Sequence, residues 1–137
     1  MYPKRTPTRP EVQAALLSPL ELKACIEGLQ KGGLQSCPQE LIGKAVRFCA
    51  SLLQEVCPGE SMEVRVVPFA ACKVLQGTRP NPHNLTPPDF FEIEPEVFLR
   101  LSFGLESWQE ALPKLRIPQL SRARELEAFF PLLSMEK

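Results

Sequence analysis

His83 is the single histidine of the 137-residue chain, and imidazole is the side chain whose ordinary pKa suits proton transfer near neutral pH. A general base needs a placed partner, and no serine, cysteine or carboxylate stands at an informative spacing from His83. It lies in the proline-rich stretch 77–88, where Arg79 can either meet an anionic head group at the mouth of a pocket or face water. Glu92 and Glu94 would share one face of a strand, as paired acids acting on one bond must. Glu94 is also explained as part of a helix start beside Pro95, where the helix dipole stabilises negative charge. The five cysteines, Cys25, Cys37, Cys49, Cys57 and Cys72, include no CxxC pair. With a single histidine they lack the close ligand pairs of a zinc site. The residues therefore assign no catalytic group, no metal site and no cofactor.

The elements that must position these residues follow from spacing and punctuation. Residues 1–9 carry prolines at 3 and 7 and few groups that a core would take, so they are expected to form a flexible arm ahead of one domain over 10–137. Lys4, Arg5 and Arg9 of that arm would touch an acidic partner or stay solvated, and a short helix is expected from Pro10 through Ala14, Ala15 and Leu16. Ser18-Pro19-Leu20-Glu21 is a capping-box signal for a helix presenting Leu22, Cys25, Ile26 and Leu29, with Gly32-Gly33 as its stop. Ser36-Cys37-Pro38-Gln39 repeats the signal. The helix after it carries Leu41, Ile42, Ala45, Val46, Phe48, Cys49, Leu52, Leu53 and Val56 at spacings of three and four.

The period then changes to two. Met62, Val64 and Val66 alternate with Glu63 and Arg65 in a half-buried strand, and residues 69–75 form a second, with Pro68 between them at a bend. After the proline-rich loop, Phe90, Phe91 and Ile93 form another strand, and Glu94-Pro95-Glu96 starts a helix through Val97, Phe98 and Leu101 that stops at Gly104. Ser107-Trp108-Gln109-Glu110 is a further capping box. A short strand is expected at 115–117 between Pro113 and Pro118, then a final helix from Ser121 with Leu126, Phe129 and Phe130 on one face, ended by Pro131. This order implies an α+β fold with a small mixed or antiparallel sheet. No GxGxxG or GxxxxGK follows a strand, which speaks against the dinucleotide and P-loop classes.

Lysine plus arginine and aspartate plus glutamate number 16 each, so the chain has no global field to attract nucleic acid or an anionic membrane, although a local patch remains open. The N-terminal MYPKRTPTRP is not a secretory signal, no apolar run reaches the length of a membrane span, and the cysteines read as reduced, mostly buried thiols. A cytoplasmic protein without stable membrane insertion is expected.

The segments MEVRVVPFAACKVLQG, TPPDFFEIEPEVFLRLSFG and SWQEALPKLRI resemble the bacterial branch of the sterol-carrier-protein family over about residues 61–133. The resemblance implies a small curved sheet covered by helices, an apolar tunnel between them, a lipid or other hydrophobic small molecule as partner, and no catalytic residues. Phe69, Phe90, Phe91, Phe98, Leu101, Trp108, Phe129 and Phe130 are the tunnel candidates, with Arg79 and His83 at its mouth. The same rings would equally fill a solid core. The loop GTRPNPHNLTPPD holds Arg79 and His83 at shifted spacing, and Pro113 and Pro118 stand where relatives carry glycines. Residues 1–60 show no family motif. Two other functions stay open at this level: a protein-interaction module using the arm and the 77–88 loop, and a small-substrate enzyme using His83 with Arg79.

Overall fold

A computed structural model describes residues 2–3, 17–77 and 89–134 of the chain. The loop at 78–88, with Arg79 and His83, lies outside the described residues, as do the helix expected at 10–16 and most of the arm.

Helix α1 (Pro19–Gly32) starts where the sequence signals it. Ser18 Oγ accepts a hydrogen bond from the Glu21 amide, and Glu21 Oε1 accepts one from the Ser18 amide, both at 3.1 Å. Leu22, Cys25 and Leu29 are buried on one side. Gly33 follows with φ +82°, and a Cβ there would stand 2.7 Å from Glu96 Oε1, so conformation and space both call for glycine. A 3-10 turn, Leu34–Ser36, leads to α2 (Gln39–Val56). The start expected at Ser36 is corrected: Pro38 is the N-cap, with no side-chain cap bond. The proline explains the shift, because it holds the preceding Cys37 extended (φ −118°, ψ 141°) and keeps that residue out of the helix. From Ile42 to Leu53, α2 buries the predicted stripe, including Phe48, Cys49 and Leu52.

Three strands form one sheet. Strand β2 (Met62–Val66) pairs antiparallel with β3 (Ala70–Val74) and parallel with β4 (Asp89–Glu92), so the sheet is mixed. Met62, Val64, Val66, Cys72, Val74 and Phe91 are buried, whereas Glu63 and Arg65 take the other face of β2. Pro68 sits in the tight turn between β2 and β3, where Phe69 donates its amide to the Val66 carbonyl at 2.8 Å. The bend expected at Pro68 is therefore a hairpin turn.

Helix α3 (Pro95–Phe103) has proline in its first turn and ends on Gly104 in the left-handed conformation (φ 75°, ψ 20°). The four-residue α4 (Trp108–Ala111) is opened by Ser107 with a complete capping box. Two expectations after α4 are corrected. Residues 115–117 form no strand; the Leu115 amide closes a 3-10 turn on the Leu112 carbonyl, and the chain runs on toward Pro118 without a ladder. The final helix is a 3-10 segment, Ala123–Phe129, whose three-residue period places buried Ala123 and Leu126 and half-buried Phe129 along one edge. Strand β5 (Leu133–Ser134) then pairs antiparallel with β1 (Tyr2–Pro3). The core joins α2 and α3 to the inner sheet face, and each fully buried Leu or Phe there contributes roughly 1.5–3 kcal/mol.

Candidate functional site

A seam of aromatic rings crosses from the sheet to the C-terminal segment. Phe91 points inward from β4 and meets Trp108 of α4 with ring centroids 6.3 Å apart. Trp108 stacks on Phe130 at 6.2 Å and 27°, and Phe130 and Phe98 of α3 meet in a T-shaped pair at 6.3 Å and 85°. Geometries of this kind are favourable for aromatic quadrupoles. Phe91, Phe98 and Trp108 are buried, at 1%, 0% and 5% exposure, whereas Phe130 is half-buried. Leu101 lies one helical turn beyond Phe98 and is buried as well.

Each neighbour in the seam is held by a local device. Trp108 follows Ser107, whose capping box supports a helix of only four residues. Phe98 is fixed through α3, which is clamped to α1. Glu96 accepts hydrogen bonds from the Leu34 amide and from Arg100 Nε, both at 3.1 Å, while Arg100 Nη2 donates to the Leu29 carbonyl at 2.7 Å. Arg122 secures the start of the C-terminal 3-10 segment: its side chain donates to Ser61 Oγ and the Gln76 carbonyl, and its amide donates to Asp89. Arg100 and Arg122 were not marked by sequence reasoning, because the contacts that tie them to other elements, with Leu29, Ser61 and Gln76, are distant along the chain.

Not every tunnel candidate joins this seam. Phe90 and Phe91 are adjacent on a strand, so they point to opposite faces; Phe90 is 41% exposed on the outer face, with the Arg65 guanidinium 4.5 Å above its ring. Phe69 lies at the β2–β3 turn, where its ring would stand 3.2 Å from a Cβ at Gly43 of α2. Phe129 is half-buried on the edge of the 3-10 segment. Arg79 and His83, expected at the pocket mouth, are outside the described residues.

The outer side has a different character. A hollow of about 220 Å³ is bordered by Arg65, Glu92, Glu94, Lys114 and Arg116. Arg65 is paired with Glu63, and Lys114 with Glu106 at 2.8 Å. The cationic wall is thus largely neutralised by neighbouring carboxylates. Glu92 and Glu94 border this hollow together, and Glu94 is the N-cap of α3 without a side-chain cap bond.

The described side chains present no activated nucleophile. The buried Ser102 hydroxyl donates to the Phe98 carbonyl at 2.7 Å. Burial pushes the Cys25 and Cys72 thiols up to about 12 and raises Cys49 as well, so these sulfurs stay protonated at neutral pH. Among the described residues no group of three or more His, Cys, Asp or Glu is arranged to hold a metal, and no helix is long and apolar enough to cross a membrane.

Comparison with known proteins gives one result that bears on this arrangement. A family model described as bacterial SCP ortholog matches residues 38–132, from the N-cap of α2 to the residue before β5. The match therefore reaches further toward the N-terminus than the motifs at 61–133, and it includes the whole of α2. No curated protein matches the chain.

Proposed function

The chain belongs to the bacterial SCP ortholog family, and on that premise we propose that it is a noncatalytic carrier holding a lipid or other apolar small molecule. The observation that carries this reading is the aromatic seam. Phe91, Trp108, Phe130 and Phe98 come from four separate segments and meet between the sheet, α3 and the C-terminal segment. Rings recruited from separate elements offer an apolar ligand a wall with few hydrogen-bonding demands, the usual character of a small-molecule site. The protonated thiols and the hydroxyl of Ser102, committed to a carbonyl, support a binding role over a catalytic one. Free cysteines accord with action in the reducing cytoplasm.

Native mass spectrometry of freshly purified protein, followed by solvent extraction, tests the proposal directly. The expected result is a retained apolar molecule, lost from a folded Phe98→Asp variant. A bare wild-type mass, with nothing in the extract, would overturn the carrier reading.

A further inference from the structure

Phe130 differs from the other rings of the seam. It is the half-buried member, yet it takes the central position, stacked on Trp108 and in a T-shaped pair with Phe98, both of which are buried. Its backbone is also weakly tied. The chain on either side is anchored by Leu126 and Leu132, at 0% and 1% exposure, with the Leu132 amide bonded to the Ser102 carbonyl at 2.9 Å. Between those anchors, Glu127, Ala128 and Pro131 are exposed. Besides the turns of the 3-10 segment itself and the packing of half-buried Phe129 and Phe130, two long hydrogen bonds tie this short arch: the Phe130 amide to the Glu127 carbonyl at 3.3 Å, and Gln109 Nε2 to Glu127 Oε2, also at 3.3 Å. Hydrogen bonds at such lengths and in exposed positions are weak, and a stretch exposed at Glu127, Ala128 and Pro131 between two firm anchors opens at lower free energy than the core around it.

We infer that Phe130 is a built-in plug: its ring occupies a ligand position between Trp108 and Phe98, and a flat, uncharged ring system binds by displacing it. This rests on the carrier reading and adds to it both the class of group accepted and the route by which it arrives. The shape follows from the ring contacts. A slot with the broad face of an indole on one side and a phenyl set nearly perpendicular to the occupant on the other accepts another planar ring. The arch swings outward about Leu126 and Leu132 while α3, α4 and the sheet keep their places.

Trp108 is the only tryptophan, so its fluorescence reports the slot without a label. The probe is 1-aminoanthracene, a flat uncharged fluorophore, added to the full-length wild-type protein and to Phe130→Ala. In the wild type, binding is expected to quench Trp108 and to abolish the nuclear Overhauser contacts between Trp108 and the Phe130 ring, leaving the Phe91–Trp108 contacts intact. In Phe130→Ala the probe is expected to bind about tenfold more tightly, the penalty removed from a slot that is open about one-tenth of the time. Probe bound to the wild type with the Trp108–Phe130 contacts retained would overturn the plug and leave the carrier reading standing. Binding to Phe130→Ala alone would also overturn it, because the ring would then be a fixed part of the core. Binding to neither protein would remove the plug, and the mass-spectrometric result would decide the carrier reading by itself.

Discussion

The cysteines give this protein a pH dependence that can be read residue by residue. Cys72 is on the inner face of the sheet and Cys25 in α1, and burial pushes both thiols up to about 12 from the ordinary value of 9.0. In the unfolded chain the same thiols ionise near that ordinary value, so between about pH 9 and 12 the folded state holds more protons than the unfolded one. Stability from keeping these thiols neutral is therefore fully present below pH 9 and falls as pH rises toward the folded-state value, by about 1.4 kcal/mol per pH unit for each thiol. Urea unfolding followed from pH 7 to 11 should show this decline, and Cys72→Ala should make its slope shallower by one thiol's share. An unchanged slope in Cys72→Ala would mean that this sulfur ionises as readily folded as unfolded. Below pH 8 the same thiols should react with a disulfide reagent only after denaturation.

At the scale of elements, the caps show how far local sequence rules reach. Ser18 and Ser107 each make both bonds of a capping box, and both were legible because the box is confined to four consecutive residues. Their removal should differ in consequence. Ser18→Ala and Ser107→Ala should each cost about 1 kcal/mol in chemical denaturation. Only Ser107→Ala should shift Trp108 emission to the red, since α1 has 14 residues to keep its place and α4 has four. Equal spectra for the two variants would show that tertiary packing, not the cap, seats the indole. Where local rules misled, the cause is equally specific. Ser36 has the right spacing to Gln39, but Pro38 extends Cys37 and moves the start of α2; in α1 the proline follows the cap directly and the conflict does not arise. For the segment after Ser121, helical periods of 3.6 and 3.0 both align Leu126 with Phe129, so a seven-residue pattern leaves the helix type undecided. The seam itself was legible only as a set of rings. That Phe91 enters it and Phe90 leaves it follows from strand alternation, but the central place of Phe130 depends on a chain turn that no local spacing encodes.

For the whole molecule, binding and folding are linked, and this separates a ring that lines a ligand site from one that only fills space. A ligand that binds the folded state alone, at a hundredfold excess over its Kd, stabilises that state by about 2.7 kcal/mol. For a domain of this size that corresponds to a rise in Tm of about 8–10 °C, because 1 kcal/mol shifts the midpoint by roughly 3–4 °C. The cargo recovered by extraction, returned to stripped protein, should produce that rise. Leu53 of α2 is fully buried and outside the aromatic seam, so Leu53→Ala should lower stability by about 2–5 kcal/mol with and without cargo and leave the increment intact. Phe98 is equally buried, and its loss should cost about 3–5 kcal/mol, but it is in direct ring contact with Phe130. In Phe98→Ala the increment itself should shrink toward zero, as one wall of the slot is gone. Paired calorimetric scans of the two variants, stripped and loaded, measure both quantities at once. If Phe98→Ala kept the full increment, its ring would be core packing alone and the cargo would lie elsewhere in the fold; if Leu53→Ala lost it, the increment would report general rigidity and not occupancy of the seam.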